Sequence, residues 1–290
     1  MSNSKLNVGI VGNGFVGAAM VSGFALHANL KVHDKDNRKS MHTLDDTIGN
    51  SQFVFVCVPT PMTSVDGGKI DLAIMDSVFD DIMNCKKPRN FSYKNTIFVI
   101  KSTVIPGTTQ RYKEKYPHAR IVFNPEFLTE RSANLDFINA SRIVLGGDQR
   151  DTSEVKKLYR ERFPHTKIIQ TDHHSAELIK YMCNCFFATK VSFMNEMFLL
   201  SEKLGCDWHS VMDGFVSDGR IGNSHLDVPG HDGDFGFGGK CFPKDINAII
   251  GCFEEIGIDP LVLKAAWERN KTVRTDINWA EIEGAVSEII

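Results

Sequence analysis

The chain has 290 residues, of which 42% are apolar and 24% charged, and its formal net charge is -3. That balance suits one large or two ordinary globular domains and argues against a general nucleic-acid or membrane-surface binder, which would carry a basic patch. No apolar run approaches the roughly 20 residues that span a bilayer, and a short polar lead without a signal-peptide pattern, with an odd count of 7 cysteines, predicts a cytoplasmic protein with reduced thiols.

In chain order, Leu6 to Val11 is predicted to form a buried strand that runs into Gly12, Asn13, Gly14, Phe15, Val16 and Gly17. An apolar helix follows, then a second strand ending at Asp34. Strand, glycine turn, helix, strand and acid is the βαβ order that binds a dinucleotide. In that order Gly12 permits the tight turn, Gly14 lets a pyrophosphate come close, and Gly17 allows the helix to pack on the strand. An acid at Asp34 accepts from a ribose 2′-hydroxyl and repels a 2′-phosphate, which favours NAD over NADP. Lys35, Arg38 and Lys39 are cations near enough to temper that preference.

Continuous apolar runs at Gln52–Val58, Asn95–Thr103, Ala119–Asn124 and Ser141–Gly147 read as strands covered on both faces, as in a parallel sheet. Polar clusters stand at their carboxyl ends: Pro59 with Thr60, Ser102 with Thr103, and Asn124 to Arg131. Ligands of open α/β sheets sit outside those ends. From about Thr171 to Leu204 no proline or glycine interrupts a long helix; a glycine-rich loop over Asp213–Gly239 and helices at Asp245–Ile256 and Pro260–Asp276 follow. The expected fold is α/β: a Rossmann-like, doubly wound, mainly parallel sheet over residues 1–172, then an all-helical central domain over 173–290.

On the long helix, Lys180, Asn184 and Asn195 project within roughly 60° of one another. A solvated stripe would explain them, but Phe187 and Val191 share it, which favours a half-buried face turned to something polar. Cys241 sits in Phe235–Asp245, between Lys240 and Lys244 and after a run of glycines. Two cations lower a thiol below its usual value of about 8.5, and a helix start at Asp245 adds its dipole. Cys57, Cys183, Cys185 and Cys252 lie within apolar segments and read as small buried hydrophobes.

A dinucleotide site with a nucleophilic cysteine has a particular chemical meaning. An aldehyde yields no second hydride until something adds to its carbon. A thiolate forms a thiohemiacetal, whose oxidation gives a thioester that water hydrolyses. Lys180 would steady the oxyanion, and Glu126 or Glu130 could activate the water.

Taken together, Gly12–Gly17, Cys57–Pro61, Lys101–Thr108, Asn124–Glu130, Ala176–Glu196, Asp218–Gly222 and Phe235–Asp245 resemble, in order, the motifs of the UDP-glucose/GDP-mannose dehydrogenase family. The resemblance extends from Leu6 to about Arg274 and implies oxidation of a nucleotide sugar at its C6 hydroxyl by two NAD in turn, the UDP-glucose branch being favoured. It implies that Cys241 forms the thioester, that Lys180 and Asn184 bind sugar and hold a water with Asp245, and that Thr103 and Glu130 lie near the nicotinamide. Glu126 matches an acid of thioester hydrolysis, and the base remains open among Glu126, Glu130 and Asp245. Val16, Asp34, Lys39, Thr60 and Lys244 fall on cofactor contacts. Phe127, Leu128, Thr129, Glu130, Phe235, Gly236, Phe237, Gly238 and Gly239 fall on the nucleotide-sugar pocket, with Arg220 facing substrate. No metal is implied, and a homodimer through the central helices is.

Two departures from the family pattern stand out: the segment between Asp34 and Cys57 is short, implying a trimmed helix or strand, and the second nucleotide-binding domain is not in the sequence. Two rival readings follow. A β-hydroxyacid dehydrogenase has a similar two-domain plan but needs no cysteine, and a non-catalytic NAD-fold chain would need a partner.

Overall fold

The computed structural model describes residues 5–89 and 91–287. The polar lead before Lys5 and residues 288–290 lie outside the described residues. The chain divides into two compact units, residues 1–60 with 72–180 and residues 61–71 with 181–290. The sequence suggests one cut near residue 172; these units part eight residues later, within a helix, and the short excursion at 61–71 belongs to the second.

The first unit is built on a seven-stranded sheet. Its strands are β1 (Leu6–Val11), β2 (Ala28–His33), β3 (Phe53–Val56), β4 (Ile97–Ile100), β5 (Arg120–Phe123), β6 (Arg142–Gly146) and β7 (Lys167–Thr171). Spatial order is β2-β1-β3-β4-β5-β6-β7, and all neighbours are parallel except β5 and β6, which meet antiparallel at Phe123 and Gly146. Between them run α1 (Phe15–Phe24), α2 (Leu44–Gly49), α3 (Ala73–Asn84), α4 (Thr108–Lys115), α5 (Ala133–Ile138) and α6 (Gln149–Arg162).

Side chains alternate across a strand, and here both faces are apolar. Phe53, Phe55, Val99 and Val122 join one core, while Val54, Val56, Phe98 and Phe123 join the other. This is why β3 and β4 read as unbroken hydrophobic runs. The order reverses at β1, with β2 on one side and β3 on the other, so the loop after β1 stands at the switch point where such sheets bind ligands.

The short segment after Asp34 retains one six-residue helix, α2, capped by Thr43 Oγ1 accepting the Asp46 amide, and then enters β3 directly. β7 had no clear signal, because "KIIQT" is half-exposed and carries polar residues at both ends.

The second unit is helical. α7 (His173–Leu204) is continuous for 32 residues and is followed by α8 (Trp208–Val216), α9 (Phe242–Glu255) and α10 (Leu261–Val273). The expectation that Asp245 opens a helix is corrected: α9 begins at Phe242, with Cys241 at the N-cap. Pro243 explains the earlier start, since its fixed φ and missing amide proton suit a first turn. The 61–71 excursion is tied into this unit by Trp279 Nε1 donating to Val65 O (3.0 Å), Trp267 Nε1 to Asp66 Oδ1 (2.7 Å) and Met62 N to Ala285 O (2.9 Å).

Candidate active site

Sterics at the switch-point loop follow the glycine pattern. Gly12 has φ +93°, and a Cβ there would lie 2.7 Å from the Cys57 carbonyl oxygen; at Gly17 it would lie 2.0 Å from the Gly12 carbonyl oxygen. A Cβ at Gly14 would meet nothing within 4 Å, so the start of α1 is open. Asp34 stands at the end of β2, accepting the Asn13 amide at 2.6 Å and the Asp36 amide at 2.8 Å. Asn13 donates its side-chain amide to Lys39 O (2.8 Å), and its Oδ1 is buried without a hydrogen-bond partner. An open helix start, a buried spare acceptor and a fixed carboxylate fit a dinucleotide. Arg38 is paired with Asp36 at 2.9 Å, so that cation is already engaged. Phe15 and Val16 are half-buried beside the loop.

The carboxyl ends of β3 and β4 are laced together. Thr60 Oγ1 donates to Thr103 O (2.7 Å) and Ser102 Oγ to Val58 O (2.6 Å), while Pro59 is exposed beside them.

Beyond β5 the turn Asn124–Thr129 carries the charged centre of the first unit. Lys180 Nζ lies 2.7 Å from Glu126 Oε1, and both side chains are almost fully buried, at 3% and 5% exposure. The other carboxylate oxygen accepts the Leu128 amide at 2.6 Å. The Phe127 ring has two cations over it, Lys180 Nζ at 5.6 Å and the Arg142 guanidinium at 4.0 Å. Thr129 and Glu130 are exposed, and the Thr129 amide is held by Asp136 Oδ2 at 2.7 Å. Glu126 and Glu130 are therefore in opposite environments, one dry and ion-paired, the other in water. A cavity of about 290 Å³ opens behind this turn, lined by Lys101, Glu126, Thr129, Asp136, Arg142 and Tyr159 among others.

In the second unit Asp245, 1% exposed, is the polar hub. It accepts Asn184 Nδ2 at 2.5 Å and is ion-paired with the ammonium of Lys244. Lys240 Nζ donates to Glu283 O at 3.0 Å. Both lysines that flank Cys241 thus have other partners, and the cysteine itself is half-buried at the start of α9. Burial raises the thiols of Cys57, to about 12, and of Cys85, Cys185 and Cys252, as expected of inert apolar cysteines.

The glycine loop before Cys241 is pinned through its backbone by three asparagines. Asn195 Oδ1 on α7 accepts the Gly236 amide (3.1 Å), and Asn278 Oδ1 accepts the Gly239 amide (2.9 Å). Asn270 on α10 takes the Phe237 amide at 2.6 Å and returns Nδ2 to the Phe237 carbonyl at 2.9 Å. Phe235 and Gly238 are half-buried in the same loop. Arg220 stands apart: it is exposed and paired with Asp218 at 2.5 Å.

Residues 25–163 match the NAD binding domain, and residues 174–272 the central domain, of the UDP-glucose/GDP-mannose dehydrogenase family. The chain belongs to that family. It is 36% identical to a UDP-glucose 6-dehydrogenase of Rickettsia felis over 239 residues, covering 80% of this chain and 50% of the relative. To one from Bacillus subtilis it is 34% identical, over 81% of this chain and 49% of the relative. The chain therefore spans about half the length of these curated relatives. A UDP-glucose dehydrogenase structure from Pyrobaculum islandicum superposes with a TM-score of 0.78 at 26% identity, over 93% of this chain and 69% of that one. A 3-hydroxyisobutyrate dehydrogenase from Mycobacterium tuberculosis shares the fold at a TM-score of 0.72 and 17% identity, over 94% and 97%. Within the UDP-glucose/GDP-mannose dehydrogenase family frame, sequence reasoning missed Lys101, Asn270 and Asn278. Lys101 had a signal, a lysine closing an all-apolar strand run; the two asparagines had none, since they act on backbone far away in sequence.

Proposed function

We propose that the chain performs NAD-dependent oxidation of a nucleotide sugar, UDP-glucose favoured over GDP-mannose, at the C6 hydroxyl to the uronic acid. The observation that carries this reading is the position of Cys241 at the N-cap of α9, one turn before an Asp245 that is buried and bound to Asn184. A fold of the β-hydroxyacid type needs no such thiol, and a decayed site has no reason to keep a buried acid paired.

NAD bound at the switch-point loop would accept one hydride in each of two oxidations. The chain's residues do the rest. Gly14 leaves room for the pyrophosphate, and Asp34 receives ribose hydroxyls. In the first oxidation the C6 hydroxyl gives up its proton to the water held by Asn184 and Asp245, and Lys180 steadies the oxygen. The Cys241 thiolate then adds to the aldehyde carbon, and the resulting thiohemiacetal loses the second hydride and its hydroxyl proton to become a thioester. Water, oriented by Asn184 and Asp245, cleaves that thioester, regenerating the thiol and releasing the acid. Glu126, buried and held in one orientation by Lys180 and the Leu128 amide, suits the part of the base better than exposed Glu130, whose side chain no described residue fixes in place.

The test is NADH formed per UDP-glucose by the full chain, with GDP-mannose compared. Two per sugar is expected; one would overturn the second oxidation.

A homodimer is part of the same reading. Met182, Phe186, Phe193, Met197, Leu200 and Leu204 are all exposed on α7 at spacings of three, four or seven, an apolar stripe of the kind that pairs helices. Sedimentation at micromolar concentration should give twice the 32.4 kDa chain mass; a monomer would sink this assignment. A cytoplasmic location accords with seven cysteines that are all thiols.

A further inference from the structure

β4 ends on a charge. Ile97 to Ile100 are buried, and the next residue, Lys101, is only 5% exposed. Its ammonium donates to Asn124 Oδ1 and to Pro125 O, each at 3.1 Å. Asn124 is anchored in turn, giving Nδ2 to Val144 O (2.8 Å) and accepting the Tyr159 hydroxyl at Oδ1 (2.5 Å). These groups belong to β4, the turn after β5, β6 and α6, and they converge on the two residues that precede Glu126.

A buried ammonium is costly, and an apolar side chain of similar length would fold more cheaply. Burial pushes Lys101 down to about 8, with Cys57 and Glu126 favouring its charged form and Lys180 opposing it. Stability alone therefore gives no reason for a lysine here. Other charged groups beside the turn include Asp136 on α5, which lines the same cavity and holds the Thr129 amide, Arg142 on β6, which covers Phe127, and exposed Glu130 and Arg131, which follow it in the chain.

We propose that Lys101 is a positioning residue for Glu126: it clamps the Asn124–Pro125 backbone so that the Glu126 carboxylate meets Lys180, and it sets a second cation near that carboxylate. Its effect on turnover rests on the nucleotide-sugar oxidation argued above. Its effect on geometry does not.

Leu128 supplies a reporter, because its amide is bonded to Glu126 Oε2. In Lys101→Met the Leu128 amide should exchange with solvent at least about tenfold faster, while the Ile10 amide in β1 stays within about twofold. In turnover kcat should fall by about tenfold or more with both KM values within about threefold, the signature of a group that acts on the reacting state. Lys101→Gln, which keeps a donor for Asn124, is the second variant should the first fail to fold. Unchanged Leu128 exchange overturns the proposal, as does a turnover loss confined to KM, and failure of both variants to fold would make the lysine purely structural. A parent chain that makes no NADH would sink the dehydrogenase reading, and the exchange comparison would still decide Lys101.

Discussion

Cys241→Ser is expected to keep NAD and nucleotide-sugar binding and to lose steady acid formation by at least about a thousandfold. The fold should tolerate the change. The Cys241 side chain makes no capping hydrogen bond to α9, and serine is among the better residues at that position, so stability should hold or rise slightly. What is lost is chemical: a serine hydroxyl stays protonated where a thiol can ionise, so it does not trap the aldehyde as an adduct able to give up a second hydride. Measured as NADH per sugar, the variant should stop short of the two expected of the parent. If it still completes two oxidations, the covalent route is wrong, and a hydrated aldehyde would have to be the species oxidised.

Asn270→Ala should destabilise the helical unit by roughly 2–4 kcal/mol. Asn270 is fully buried and satisfies both backbone groups of Phe237, so alanine would strand a donor and an acceptor at once. Chemical denaturation reads the stability, and the alkylation rate of Cys241 reads the loop. Stability unchanged within about 0.5 kcal/mol would mean that the loop holds itself without the asparagine.

Much of the architecture was legible because short-range rules governed it. The β1 turn and Asp34 are read from glycine sterics and one acid at fixed spacing, and α7 from 32 residues free of breakers. Lys180, Asn184 and Asn195 stood out as polar residues on a half-apolar stripe, and each is buried with a partner. Other features lie beyond local pattern. The start of α9 shifted because a proline at the second helical position outweighs an aspartate that looks like a cap. Adjacency in sequence also gave no sign that the ammonium groups of Lys240 and Lys244 bond to the Glu283 carbonyl and the Asp245 carboxylate. Lys101 and Glu126 are 25 residues apart along the chain and come together only through parallel strand pairing.

The excursion at 61–71 has a consequence in time. Val65 and Asp66 meet Trp279 and Trp267, partners 214 and 201 residues further along the chain. At the usual pace of synthesis, about 5–20 residues per second, this segment leaves the ribosome roughly 10–40 s before the tryptophans that receive it. The strands of the first unit can pair in the meantime, since β1 and β3 precede the excursion and β4 and β5 are made well before the tryptophans. The helical unit cannot finish until Trp267 and Trp279 arrive, and closing so long a loop is expected to make its completion slower than that of the sheet.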